Sequence, residues 1–279
     1  MEDTIAVATF YHFAKLENYE DMKYPILDFC KQNKIKGTVL LAEEGINSTI
    51  AGQAESLESF FEFLKSDKRL EDVTWKQSRC KFQPFQKLKV RLKKEVVRLA
   101  DQNLEVMHDK NQSGQYIEPQ DWDDFIAKKD VKVIDTRNFY ETKLGRFENA
   151  VDPNTVNFSD FSDWVKRWIK QEKIEKDAKI AMYCTGGIRC EKSTAYMKNL
   201  GFKNVYHLKG GILNYFEKTQ NKSNKWQGNC FVFDDRVAVD SNLQPVQLNC
   251  TICNKTVTTD DLQNVSKGKI VCLACSAAD

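Results

Sequence analysis

The segment from Lys179 to Gly201 constrains this chain more than any other. Lys179-Ile180-Ala181-Met182-Tyr183 reads as a buried strand and runs without a linker into Cys184-Thr185-Gly186-Gly187-Ile188-Arg189-Cys190. A helix is expected from about Glu191 to Leu200, closed by Gly201 as its C-terminal cap. Such a unit belongs in a parallel α/β sheet, whose sites lie at the carboxyl ends of its strands, and Cys184 stands at such an end. The same alternation extends over residues 119–220. Pro119 opens a helix bearing Trp122, Phe125 and Ile126. Val131-Lys132-Val133-Ile134-Asp135 is a strand, Trp164, Val165, Trp168 and Ile169 form a helical stripe, and Val205–Leu208 is a further strand.

The loop has the parts of an activated thiol. Only the thiolate attacks, and a free cysteine is mostly protonated at neutral pH. A cysteine between a strand and a helix faces backbone N–H groups and the positive end of the helix dipole. Gly186 and Gly187 let the backbone curl into a nest of amides, and Arg189 adds a fixed positive charge. Four residues lie between Cys184 and Arg189. A cysteine-dependent phosphatase loop has one residue more, so the tighter loop here suits a smaller, sulfur-centred group. Cys184 is therefore the expected nucleophile, Arg189 its electrostatic partner, and Cys190, on the far rim, a candidate resolving thiol. The competing reading is an inert buried cysteine after a strand, which leaves the Gly-Gly pair and the arginine without a purpose.

Residues 1–98 read as a separate β-α-β-β-α-β unit, a ferredoxin-like split βαβ sandwich. Its strands are Ile5–Phe13, Gly37–Ala42, Ile46–Ile50 and Leu88–Leu92. Its helices are marked by the stripes Met22, Ile26, Phe29, Cys30 and Leu57, Phe60, Phe61, Leu64. A polar connector is expected over 99–118, where Asn103, Asp109, Asn111, Gln112, Ser113 and Gly114 supply turn character. Residues 221–279 form a C-terminal extension. There Cys250-x2-Cys253, 18 intervening residues and Cys272-x2-Cys275 give zinc-ribbon spacing. Four thiolates suit a closed, structural zinc, against the alternative of free thiols in a flexible tail. His12, His108 and His207 are scattered, without helical metal spacing. No catalytic metal is expected, and no nucleotide or flavin motif is seen.

Lys plus Arg number 42 and Asp plus Glu 40, a net charge of +2, so any nucleic-acid footprint must be local. The strand from Lys87 to Lys93 offers one. Lys87, Lys89, Arg91 and Lys93 alternate with Leu88, Val90 and Leu92, which puts four cations on one face and three apolar side chains in the core. Phe82 and Phe85 lie beside it, placed to stack on unpaired bases. A solvated strand face that discourages edge pairing is the bland alternative. Glu43, Glu44 and Asn47, around Gly45, offer either a polar wall toward the cysteine site or a plain exposed turn. No export signal opens the chain, and no window approaches about 18 consecutive apolar residues. The nine cysteines are therefore expected to be reduced thiols in the cytoplasm, with no membrane partner.

Cys184 to Cys190, followed by Glu191-Lys192, resembles the loop of the oxygen-dependent tRNA uridine hydroxylases, a bacterial rhodanese-domain family. The likeness continues in Leu41-Ala42-Glu43-Glu44-Gly45-Ile46-Asn47, Val90-Arg91-Leu92-Lys93-Lys94-Glu95, Asp135-Thr136-Arg137-Asn138, Val205-Tyr206-His207-Leu208, Gly210-Gly211-Ile212 and Phe231-Val232-Phe233-Asp234. Ser48 stands where that family commonly has Gly. Gly145-Arg146-Phe147 stands where general rhodaneses commonly carry Gly-His-Ile. The resemblance implies a ferredoxin-like (acylphosphatase-like) α+β domain, then a rhodanese α/β domain with a parallel sheet, then the small Cys-rich tail. It also implies an enzyme that hydroxylates the wobble uridine of tRNA to 5-hydroxyuridine, with molecular oxygen as co-substrate, the tRNA anticodon loop as partner and Cys184 as the essential residue. A sulfurtransferase moving sulfane sulfur from thiosulfate to a thiol would use the same loop but needs no RNA surface. A non-enzymatic zinc- and RNA-binding module would use the basic strand and the CxxC pairs but not the loop.

Overall fold

A computed structural model describes residues 4–99, 112–219, 225–264 and 270–277 of the chain. The chain divides into two units, Met1–Ser113 and Gly114–Asp279.

In the first unit the strands are β1 (Ile5–Phe13), β2 (Lys36–Ala42), β3 (Gly45–Gly52), β4 (Trp75–Cys80) and β5 (Leu88–Leu92), with helices α1 (Lys23–Gln32) and α2 (Ala54–Lys65). The sheet order is β4-β1-β3-β2-β5. Ala6, Ala8 and Phe10 of β1, Val39 and Leu41 of β2, and Ile46 and Ile50 of β3 meet Ile26, Cys30, Leu57, Phe60, Phe61 and Leu64 of the helices in one core. Helices at period 3.6 and strands at period 2 thus bury matching faces. The ferredoxin-like reading holds, with one correction. Its fourth strand is Trp75–Cys80, antiparallel to β1, whereas Leu88–Leu92 is an added strand parallel to β2 at the opposite edge. Trp-Lys-Gln-Ser-Arg-Cys has no apolar alternation because only one edge is paired and Trp75 lies flat on Phe61, with ring centroids 3.7 Å apart and planes at 3°.

The Leu41–Asn47 motif does structural work in this unit. Glu44 is 3% exposed and its Oε1 accepts from the Val96 amide at 2.7 Å, while Asn47 Nδ2 donates to the Val96 carbonyl at 3.0 Å. Glu44 and Asn47 hold the segment after β5 and are not an exposed turn. Ser48 is buried, its hydroxyl donating to the Thr38 carbonyl at 2.9 Å.

The second unit contains β6 (Gln115–Ile117), α3 (Pro119–Ile126), β7 (Val131–Asp135), α4 (Phe139–Thr142), β8 (Gly145–Phe147), α5 (Phe161–Glu172), β9 (Lys179–Tyr183), α6 (Ile188–Asn199), β10 (Asn204–Leu208) and α7 (Gly211–Lys218). The connector expected over 99–118 falls mostly on residues 100–111, outside the described residues, as does His108. Its last part is the strand β6. The four-stranded sheet runs β6-β10-β9-β7, with every pairing parallel. Trp122 of α3 and Ile212, Tyr215 and Phe216 of α7 pack on Val133, Ala181, Tyr183 and Leu208 of the sheet. α6 lies over β9 and β10 and packs on α5. It ends where expected: the Gly201 amide donates to Lys198 O at 2.8 Å and the Phe202 amide to Met197 O at 3.2 Å, a Schellman closure.

The extension adds β11 (Trp226–Gly228) on β8, the hairpin of β12 (Cys230–Phe231) and β13 (Ala238–Val239), and helices α8 (Thr259–Asn264) and α9 (Leu273–Ser276). Phe231, Val237, Leu248, Val257, Leu262 and Val271 form a small core with Tyr140 and Leu144. Among the described residues no helix is long and apolar enough to cross a membrane.

Candidate active site

β9 delivers Cys184, and α6 begins four residues later, after Gly187 turns the chain at φ 104°, a value side chains rarely adopt. That turn aims the Gly187 amide at the Cys184 sulfur, 3.1 Å away. Burial works against ionisation, but the Cys190 thiol, the Arg189 charge and the Cys190 and Gly187 amides outweigh it and bring the Cys184 thiol down to about 6. The residue is 1% exposed, so the sulfur is ringed by donors yet nearly closed to solvent. Alkylation of Cys184 by iodoacetamide should therefore rise with pH through a midpoint near 6 and be flat above neutrality. A midpoint at the ordinary thiol value of about 8.5 would remove the activated thiolate from the site.

Cys190 is fully buried beside that sulfur and not on an exposed rim. Burial, and then the adjacent Cys184 charge, push its own thiol well above the ordinary value, so it stays protonated and donates to the thiolate. Its sulfur lies 3.7 Å from Thr136 Oγ1, whose hydroxyl donates to Tyr183 O at 3.1 Å.

Arg189 is not free to swing. Its Nη1 and Nη2 donate to Glu141 at 2.6 and 2.7 Å. Glu141, fully buried in α4, also accepts from Thr185 Oγ1 at 3.0 Å and from the Asn138 amide at 3.1 Å. Burial alone would raise the Glu141 carboxyl; the Arg189 guanidinium, helped by Arg137 and the Asn138 amide, holds it below its ordinary value. Arg137 is itself pinned by its guanidinium on Asp135, with Nε donating at 2.9 Å and Nη2 at 2.6 Å, and by Nη2 on Gly145 O at 2.6 Å. Sequence reasoning missed Glu141. The Asn138-x-x-Glu141 capping box directly after Asp135-Thr136-Arg137 was its only signal.

A second helix steadies the loop from behind. The amides of Ile212 and Leu213 in α7 donate to the Cys184 and Thr185 carbonyls at 3.0 and 3.1 Å. Gly211 makes this approach feasible: at φ 70° it would carry a Cβ only 2.4 Å from Cys184 O and 2.7 Å from Gly187 N. Gly186 and Ile188 are half-buried, and Thr185 is buried.

The remaining predicted residues lie elsewhere. Lys87, Lys89, Arg91 and Lys93 are all exposed, and the register sets Lys89 and Arg91 beside Thr38 and Leu40. Only Val90 of the three apolar residues is buried; Leu88 is half-buried and Leu92 is 37% exposed, because β5 is an edge strand at the margin of the core. Phe82 is 45% exposed, whereas Phe85 is half-buried and packs against Val7, Ala51 and Cys80. In the extension the sulfurs of Cys250, Cys253, Cys272 and Cys275 all lie within 4.8 Å of one another, a set of four that can hold a metal ion.

Two family descriptions match the chain: the UPF0176 acylphosphatase-like domain over residues 5–96 and the rhodanese-like domain over 118–218. Fold and loop thus define a rhodanese-like cysteine protein with an acylphosphatase-like domain ahead of it. The tRNA uridine(34) hydroxylase of Neorickettsia sennetsu is 55% identical over 98% of this chain and 97% of its own length. Those of Wolbachia pipientis from Culex pipiens and of Ehrlichia canis are 55% and 50% identical, over 98% and 96% of this chain and 95% and 96% of theirs. The chain belongs to the tRNA uridine(34) hydroxylase family. Among solved structures, a rhodanese-like domain from Anabaena sp. is 17% identical over 40% of this chain and 78% of its own, with a TM-score of 0.33.

Proposed function

We propose that this protein hydroxylates uridine 34 of tRNA to 5-hydroxyuridine in the cytoplasm, with molecular oxygen as co-substrate and Cys184 as the reactive centre. The observation that carries the hydroxylation of uridine 34 is 55% identity over 98% of this chain with a protein named tRNA uridine(34) hydroxylase. The ionised Cys184 supports a reactive role for the loop, with Arg189 and the Gly187 amide stabilising negative charge at the reacting atoms. Cys190 serves as the thiol that hydrogen-bonds the reacting sulfur. The test is mass spectrometry of anticodon nucleosides from cells with and without the gene, repeated under anoxia. Loss of 5-hydroxyuridine in both the deletion and the anoxic cells is expected; its persistence in the deletion sinks the proposal. The tight loop also fits sulfur transfer, and steady thiosulfate turnover without tRNA would favour that reading.

The tRNA backbone is taken by the exposed cations on and flanking β5, Lys87, Lys89, Arg91 and Lys93, with Phe82 beside them. Replacing Lys87, Lys89 and Arg91 together with alanine should weaken tRNA binding and lower the slope of log affinity against log salt by roughly 2–3. An unchanged slope would remove this strand from the interface.

Zinc fits the Cys250, Cys253, Cys272 and Cys275 cluster. Four thiolates at a Zn–S distance of about 2.3 Å sit roughly 3.8 Å apart, within reach of this arrangement. The ion would be structural, replacing apolar contacts that so small a core lacks. Freshly reduced protein should contain about one zinc per chain, and its removal should expose the extension to proteolysis. Reduced protein that is zinc-free yet equally resistant would overturn this.

A further inference from the structure

Phe233 is 51% exposed, although its neighbours Phe231, Val232 and Asp234 are buried. It stands in the connection between β12 and β13, and that connection is tied down by hydrogen bonds. Asp234 accepts from Arg236 Nε and Nη2 at 2.8 and 2.6 Å, the Val232 amide donates to Val237 O at 2.9 Å, and the Val237 amide donates to Asp234 O at 2.9 Å. One edge of the arrangement is braced by Phe231, whose ring is 5.0 Å away at 86°. The ring also lies 6.0 Å from the Arg189 guanidinium carbon. A ring tethered in this way, with the arginine of the reactive loop over it, still leaves about half its surface open to solvent beyond what Phe231 and Arg189 cover. Unpaired nucleobases are bound by stacking on such rings, and an enzyme acting on a base must first take it out of its stack.

We propose that Phe233 is the platform on which the target pyrimidine base stacks when it enters the Cys184 loop, with Arg189, locked by Glu141, over the ring of that platform. This rests on the reading of the protein as a tRNA uridine hydroxylase and adds the residue that holds the base. The alternative is a ring that merely steadies Arg189.

Two measurements separate these. The first is equilibrium binding of an anticodon stem–loop RNA carrying uridine at position 34, compared with the same RNA abasic there. Phe233→Leu should weaken uridine binding roughly tenfold and erase the difference between the two RNAs, while Phe233→Trp and Phe233→Tyr keep it. Equal affinities for wild type and Phe233→Leu, or equal losses in all three variants, overturn the proposal. This measurement needs no turnover. If wild-type protein bound the RNA but formed no 5-hydroxyuridine, the functional reading would fail while the stacking result still stood. The second is the pH profile of Cys184 alkylation in Phe233→Leu. A profile that keeps its wild-type midpoint is expected, whereas a shifted midpoint would mean that the ring acts by steadying Arg189 and would also overturn the proposal.

Discussion

A Cys184→Ala variant should lose 5-hydroxyuridine formation by a factor on the order of 10³ or more, the scale set by deleting the reactive nucleophile of an enzyme whose other groups act through it. The fold should survive. The change removes one buried sulfur and leaves the Gly187 amide without its acceptor, a loss of about 1–3 kcal/mol. That is small beside the roughly 5–15 kcal/mol that holds a domain together. Quantitation of the modified nucleoside in tRNA from complemented cells, beside urea unfolding of the purified variant, separates the two effects. Wild-type levels of the product with Ala at this position would move the chemistry off Cys184. The Cys190→Ala variant is the informative partner. Cys190 donates to the thiolate, so its removal should raise the alkylation midpoint of Cys184 without removing the nucleophile.

Glu141→Gln should be the most destabilising single change at the site, by about 3–5 kcal/mol, because it leaves the Arg189 guanidinium buried without its counter-charge. The amide offers one acceptor where the carboxylate satisfies Arg189, Thr185 and the Asn138 amide together. The sign with pH follows. Folding holds the Glu141 carboxyl below its ordinary value, so the pair contributes fully above about pH 4.3 and its contribution is lost as pH falls through the lower folded value. At the thiol the effect is opposite in sense. With the Arg189 charge no longer cancelled, Cys184 in the variant should ionise at lower pH than in wild type. Urea unfolding and alkylation profiles on one preparation test both. A stability loss under about 1 kcal/mol would mean that water replaces the carboxylate and the pair is not closed.

The second unit was the more legible. Its strands at 131–135 and 179–183 are short apolar runs, and the helix stripes around Trp122 and Trp168 have the right period. The first unit misled at its edges. An edge strand such as Trp75–Cys80 is stabilised by one ladder and a stacked ring, and neither leaves a periodic trace in the sequence. The same cause left Leu92 exposed where strict alternation would bury it. Cys184 and Arg189 were legible because the Gly-Gly turn between them has no packing use. Glu141 was not, since a buried carboxylate is recognised only by the cation it meets, 48 residues along the chain. Phe85 and Glu44 went the same way: each meets partners far along the chain that only folding brings beside it.

The hydrogen bonds from Ile212 and Leu213 to the loop have a consequence for transplantation. They fix the Cys184 and Thr185 carbonyls, and with them the two planar peptide units that lead into the Gly187 turn whose amide meets the sulfur. The seven-residue stretch carries no instruction for that orientation. Grafted alone onto another strand–helix junction it should behave as an ordinary thiol, and only a graft that brings Gly210-Gly211-Ile212 along at the same spacing should restore the low-pH reactivity.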